Sequence, residues 1–176
     1  MLCERIALVG MMGTGKSTIA RHLSARLGVP CLDLDDMIET RIGTKIPLYF
    51  KDCGEAAFRD VEQTHLESVT RSDFRGVLST GGGIVNRKEN RDLLSREWYC
   101  IHLVTDTHEL VQRVLKDSTM ERPMLRGAED VEQSLNQLWV ERRDFYAKVS
   151  RLEIQTSFKS PAQIVEEILH VTSFSQ

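Results

Sequence analysis

Gly10-Met11-Met12-Gly13-Thr14-Gly15-Lys16-Ser17 sets glycines, a lysine and a serine in the spacing G-x-x-x-x-G-K-S. Glycine lets a backbone curl until several N–H groups face one centre, and a following helix adds the positive end of its dipole. Such a loop cradles phosphate oxygens, with Lys16 able to reach the outer phosphates of a nucleoside triphosphate and Ser17 able to ligate Mg²⁺. A glycine-rich turn between a strand and a helix is common, and the motif carries its meaning only in that setting. Here Ile6-Ala7-Leu8-Val9 reads as a short buried strand before it. Ile19, Ala20, Leu23 and Leu27 recur at helical spacing after it, until Gly28-Val29-Pro30 stops the helix.

A Mg²⁺ ion held against ATP prefers hard oxygen ligands. Leu32-Asp33-Leu34-Asp35-Asp36 supplies carboxylates at the end of the next apolar run, Cys31 to Leu34. If that strand continues, alternation puts Asp33 and Asp35 on one side, above the sheet. The competing use is helix capping, by Asp35 or Asp36, of a helix beginning near Met37. Asp33 is assigned to the metal and Asp35 to the acceptor.

These residues need a scaffold. Further apolar runs at Gly76 to Ser79, Tyr99 to Val104 and Leu152 to Ile154 alternate with longer helix-like stretches. That order predicts a parallel sheet covered by helices on both faces, a three-layer α/β fold. Val131 to Val149, with Leu135, Leu138, Trp139 and Phe145, and Ala162 to Val171, with Ile164, Val165, Ile168 and Leu169, read as amphipathic helices. The polar segment from Lys116 to Gly127 is longer than an ordinary connection and reads as a mobile flap.

The 176 residues suit one domain. Against 26 acidic side chains stand 23 Lys and Arg, a net charge of -3, so no global field attracts nucleic acid or an anionic membrane. No apolar stretch approaches the ~20 residues a membrane helix needs, and the first strand begins too near Met1 for a signal peptide. Cys3, Cys31, Cys53 and Cys100 lie far apart without a C-x-x-C pair, which fits a reduced, cytoplasmic setting. The five histidines have no metal-ligand spacing, so no zinc or iron site is expected.

With the phosphate loop and the Asp33-x-Asp35 step in place, the chain resembles the shikimate kinases, and Ile38-Glu39 continues the likeness. Gly54-Glu55-x-x-Phe58-Arg59-x-x-Glu62 resembles the family's segment that supplies an arginine to the shikimate carboxylate. Ser79-Thr80-Gly81-Gly82-Gly83 resembles its triple-glycine strand end, and Arg122-Pro123-Met124-Leu125 the end of its lid. Arg142-x-x-x-Tyr146 resembles its second substrate arginine. The likeness runs over nearly the whole chain. It implies a five-stranded parallel sheet in the nucleoside-monophosphate-kinase arrangement, and transfer of the ATP γ-phosphoryl group to the 3-hydroxyl of shikimate. By position it implies ATP contacts from Gly13, Thr14, Gly15, Lys16, Ser17, Thr18 and Arg122, and Mg²⁺ at Ser17 and Asp33. Shikimate contacts fall to Asp35, Arg59, Gly82 and Arg142.

Acceptor chemistry agrees with this. A small carboxylate bearing hydroxyls calls for bidentate arginines at one end and a short acceptor at the other. Arg59 alone would read as an exposed helical residue paired with Glu55 or Glu62 for ~0.3 kcal/mol. Its surrounding motif turns that reading. Adjacent helical positions point about 100° apart, and only the Tyr146 register favours Arg142 over Arg143. Arg122, closing over the phosphates, and Lys16 would neutralise developing charge while Asp35 orients or deprotonates the hydroxyl. On the adenine side Leu115 stands where the family often has arginine, and Lys159 is the substitute expected to reach the base. A gluconate or nucleoside-monophosphate kinase shares the loop, and a nucleotide-binding switch would need no acceptor residues. A free-standing monomer is expected.

Overall fold

The computed structural model describes residues 5–116 and 130–172. Five parallel strands, β1 (Arg5–Val9), β2 (Cys31–Asp33), β3 (Gly76–Ser79), β4 (Tyr99–Val104) and β5 (Leu152–Gln155), form one sheet in the order β2-β3-β1-β4-β5. The helices between them are α1 (Lys16–Leu27), α2 (Leu34–Ile42), α3 (Ile46–Arg71), α4 (Lys88–Glu97), α5 (Thr107–Lys116), α6 (Val131–Val149) and α7 (Pro161–Thr172). A short 3₁₀ turn spans Ile84–Asn86.

Alternation along the strands separates two cores. Ile6, Leu8, Val77, Ile101 and Leu103 face α1 and α7, packing on Ile19, Leu23, Ile164 and Ile168. Ala7, Val9, Leu78 and Cys100 face the other way, against Phe58, Leu94, Leu110, Leu135 and Leu138. Every strand residue of β1 after Arg5 is therefore buried, which is why these runs read as continuously apolar. Both amphipathic helices form where periodicity placed them, with Leu135 and Leu138, and Ile164, Val165, Ile168 and Leu169, on their buried faces. Trp98 is core, its Nε1 donating to Thr70 Oγ1 at 2.9 Å.

The second strand corrects the sequence expectation. It ends at Asp33, and α2 starts at Leu34, three residues earlier than expected. Asp33 itself, in extended backbone, is the cap: its Oδ1 accepts from Asp35 N–H at 3.0 Å. Asp35 and Asp36 occupy the first helical turn, where their charge suits the positive helix end. Asp33 and Asp35 thus come together across a strand-to-helix corner and not along one strand. Helix α3 is broken within its length at Gly54, whose φ of 82° and ψ of 171° are not helical. Arg122, the Arg122-Pro123-Met124-Leu125 run and all but the first residue of the expected flap lie outside the described residues, as does Cys3.

Candidate active site

The phosphate loop leaves β1 and enters α1 through Gly10, Gly13 and Gly15, whose φ angles of 143°, 79° and 89° belong to the left-handed half of backbone space. Side chains with a Cβ resist that half, so the curled loop depends on glycine here. Lys16 is buried, and its Nζ donates to the carbonyls of Gly10 at 2.9 Å and Met11 at 2.8 Å. Its charge is held over the loop's centre. Thr14 fastens the same turn, its Oγ1 donating to Met11 O at 2.8 Å. Ser17 and Thr18 follow in the first turn of α1.

Ser17 Oγ lies 3.2 Å from Ser79 Oγ at the end of β3, and Asp33 is the register partner of Ser79 on β2. Ser79 thus links the Ser17 hydroxyl to the strand position next to Asp33. Capping uses Asp33 Oδ1 and leaves Oδ2 for a metal. Two hard oxygen donors next to a phosphate cradle fit Mg²⁺, which keeps waters and phosphate oxygens as its other ligands.

The residues expected at the acceptor gather around Gly81-Gly82-Gly83, just past β3. None of the three has a left-handed φ, so their glycine identity answers to close approach and not to backbone freedom. A Cβ on Gly81 would sit 2.9 Å from Asp35 Oδ1 and 3.1 Å from Glu62 Oε1. One on Gly82 would sit 3.1 Å from the Met12 amide nitrogen of the phosphate loop. One on Gly83 would fall 2.3 to 2.5 Å from the Arg59 guanidinium atoms. The loop is thus where the phosphate cradle, two carboxylates and an arginine fork meet.

Arg59 is buried, and it pairs with both carboxylates its helix offers: Nη1 with Glu62 Oε2 at 2.8 Å and Nη2 with Glu55 Oε1 at 3.1 Å. Burial opposes its charge, yet these neighbours hold its pKa above the ordinary arginine value. The helical pairing and the functional orientation are therefore compatible. Glu62 had no role beyond the motif; its i+3 spacing from Arg59 was the available signal. It is almost fully enclosed, burial raises its pKa against the pull of Arg59, and its Oε1 has no hydrogen-bond partner among the described residues.

Asp35 feels the same crowding. Burial first, then the nearby Asp33 and Glu62 charges, push its pKa up to about 7, with Lys16 and Arg59 acting in the opposite sense. A carboxyl poised there can take a proton near neutral pH.

Of the adjacent arginines on α6, Arg142 is buried while Arg143 is exposed beside Asp144. Arg142 Nη1 donates to Gly82 O at 3.4 Å, and Tyr146, one turn on, donates its hydroxyl to the same carbonyl. Burial drives the Tyr146 pKa up to about 12, so it stays a donor. Tyr146 served only as a register marker in the sequence; it is a strut for the glycine loop. Ile38 is core, and Glu39 bridges α2 to α3, accepting from Lys45 Nζ at 2.6 Å and Ile46 N–H at 3.0 Å. Lys159 forms an ion pair with Glu167 of α7 at 2.5 Å.

This arrangement, a curled glycine loop beside a cluster of buried arginines and carboxylates, has close relatives. The family model "Shikimate kinase" matches residues 12–173. The chain belongs to the shikimate kinase family. A shikimate kinase of Enterococcus faecalis is 40% identical over 166 residues, 94% of this chain and 96% of the relative. One from Bordetella avium is also 40% identical, over 93% of this chain and 77% of its own. Among solved structures, the shikimate kinase of Acinetobacter baumannii in complex with shikimate superposes with a TM-score of 0.91 at 34% identity, covering 99% of this chain and 95% of that one. A gluconokinase of Sinorhizobium meliloti, at 16% identity and a TM-score of 0.58, shares the fold alone. As a shikimate kinase the chain uses ATP as co-substrate with Mg²⁺. No helix among the described residues is long and apolar enough to cross a membrane.

The Gly83 contact yields an expected result specific to the acceptor. Gly83→Ala would put a methyl inside the Arg59 guanidinium and force that side chain away. The acceptor KM should rise about tenfold or more while the ATP KM holds, since misplacing one positioning group by an ångström has effects of that size. Steady-state kinetics in each substrate checks it.

Proposed function

We propose that Arg59 and Arg142 hold the shikimate carboxylate beside the Gly81–Gly83 loop, with Gly82 supplying backbone contact to the substrate and Asp35 at the hydroxyl to be phosphorylated. The reaction is transfer of the γ-phosphoryl group of ATP to the 3-hydroxyl of shikimate, giving shikimate 3-phosphate and ADP, a step toward aromatic amino acids. Gly13, Thr14, Gly15, Lys16, Ser17 and Thr18 hold the nucleotide, Ser17 and Asp33 hold Mg²⁺, Lys159 serves the adenine side, and Arg122, outside the described residues, serves the phosphates. The observation that carries this reading is the close approach of Gly82 to the phosphate loop, where an added Cβ would lie 3.1 Å from the Met12 amide nitrogen.

Phosphoryl transfer asks the protein mainly to align an incoming oxygen and to neutralise charge. The groups on this chain divide accordingly. Lys16 and the loop amides neutralise the transferring group. The two arginines orient the acceptor from its far end, and Asp35 takes the hydroxyl proton. The metal, when bound, offsets phosphate charge.

The reading extends to a single domain over residues 1–176 with a lid at about 116–127, acting as a monomer in the cytoplasm, without nucleic acid. The length and the single sheet support one domain, and the balance of charge supports the absence of nucleic acid.

A coupled ADP-release assay tests the site. Turnover should require shikimate and not respond to gluconate or CMP. Arg59→Ala should raise the shikimate KM by about ten- to a hundredfold, the worth of one or two charge-assisted hydrogen bonds. ATP hydrolysis indifferent to shikimate would refute the acceptor assignment.

A further inference from the structure

Outside the groups that face substrate, one charged side chain ties the glycine loop to the helix that carries Arg59. Arg87 directly follows the 3₁₀ turn Ile84–Asn86, and its guanidinium crosses to α3. There Nη1 donates to Gln63 Oε1 at 2.9 Å, and Nη2 donates to Asp60 Oδ1 at 2.6 Å and to the Ala56 carbonyl at 3.3 Å. Positions 56, 60 and 63 recur at intervals of four and three and form one stripe of the helix, next to the stripe of Arg59 and Glu62.

The break at Gly54 means that the 55–71 part of α3 is anchored on its own. Its far end is pinned by Arg5, which donates to Thr70 O at 2.7 Å and Ser72 O at 2.6 Å, and by the Trp98 bond to Thr70. At the site end, among the described residues, Arg87 is the one side chain from another element that hydrogen-bonds to positions 55–63. One turn earlier in its own segment lies Gly83, against which the Arg59 fork rests.

We propose that Arg87 is a positioning residue for the acceptor: it fixes the site end of the Arg59 helix to the glycine loop, so that Arg59 meets the shikimate carboxylate in register. This rests on Arg59 being the carboxylate's partner. The Arg87–Asp60 pair is open to water, with side-chain exposures of 28% and 71%, so it adds little to global stability. Its consequence is local geometry. Two nitrogens serving three acceptors is work for a guanidinium fork, which an ammonium reproduces only in part.

The test compares Arg87→Ala, Arg87→Lys and Asp60→Ala in the full chain, with Arg59→Ala alongside, measuring Tm, kcat and the KM for each substrate. Arg87→Ala should raise the shikimate KM about tenfold, a fraction of the ~100-fold cost of a full ångström's misplacement. The ATP KM and Tm should stay near the parent's. Arg87→Lys should recover part of the loss, and adding Asp60→Ala to Arg87→Ala should change little further, because the Arg87–Asp60 contact is already gone. The proposal is overturned if Arg87→Ala leaves the shikimate KM unchanged while Arg59→Ala raises it. It is equally overturned if both KM values worsen together with a lowered Tm, which is general loosening. An Arg59→Ala variant with a parental shikimate KM would remove the premise instead, so the two failures are distinguishable.

Discussion

Lys16→Met should cut kcat by a factor of about a hundred to a thousand while leaving a folded protein, the range seen when one preorganised donor to developing charge is lost. Methionine keeps the length and apolar stem of the side chain and deletes only the charge. In the structure that charge lies on the Gly10 and Met11 carbonyls, 2.9 and 2.8 Å away, inside a loop that is already curled. In the proposed site, Lys16 would only exchange these backbone oxygens for the more strongly charged phosphate oxygens when nucleotide arrives. Because the second set is most negative as the phosphoryl group transfers, the loss falls on turnover more than on ATP affinity. Some stability should go too, since burial of the two carbonyls continues after their donor is removed. Saturating kinetics beside nucleotide titration by calorimetry separates the effects. A kcat within about threefold of the parent would mean that the loop amides carry the charge unaided.

The phosphate loop was legible from sequence because its function is contiguous: the residues that bind are neighbours in the chain, and the flanking strand and helix announce themselves by periodicity. The central strands β1, β3 and β4 were legible because burial on both faces makes them continuous apolar runs. Asp33 shows where local reading fails. Cys31-Leu32-Asp33-Leu34 looks extended to its end, but a carboxylate in extended backbone can cap a helix at once, and Asp33 accepting from Asp35 N–H starts α2 at Leu34. The choice between strand and cap depends on where β3 stops supplying partners, and its Ser79 pairs with Asp33 as the last register position.

The residues proposed for the acceptor were legible only through resemblance. Arg59 on its own looked like half of a surface ion pair; what makes it otherwise is burial beneath Gly83, a contact 24 positions away in the chain. Likewise nothing local separates Arg142 from Arg143, because a 100° turn of the helix decides which one enters the core. Glu62, Tyr146 and Arg87 act by supporting other groups. Their importance appears only when the glycine loop, α3 and α6 are assembled, and no spacing in the sequence encodes that assembly.

Asp35→Asn should lower kcat by about a hundredfold or more, as befits a lost proton acceptor. Its signature lies in pH dependence. With the carboxyl pushed up to about 7, the parent's kcat/KM should climb as pH rises through that value, because the anion is the form that accepts a proton. Asparagine has nothing to titrate, so the residual activity of the variant should lack this limb. Stability should move the opposite way. A carboxyl raised from its ordinary 3.8 to about 7 by folding favours the native state only while neutral, and that advantage is lost as pH rises across the window. Asp35→Asn should therefore gain in Tm over the parent as pH climbs from about 4 to about 7, with little difference at the acid end. A rate profile whose ascending limb survives in the variant would assign the proton to another group and leave Asp35 to orient the hydroxyl. The Tm comparison reads the crowding by Asp33 and Glu62 independently of catalysis, so a flat Tm difference would instead deny that Asp35 is held neutral.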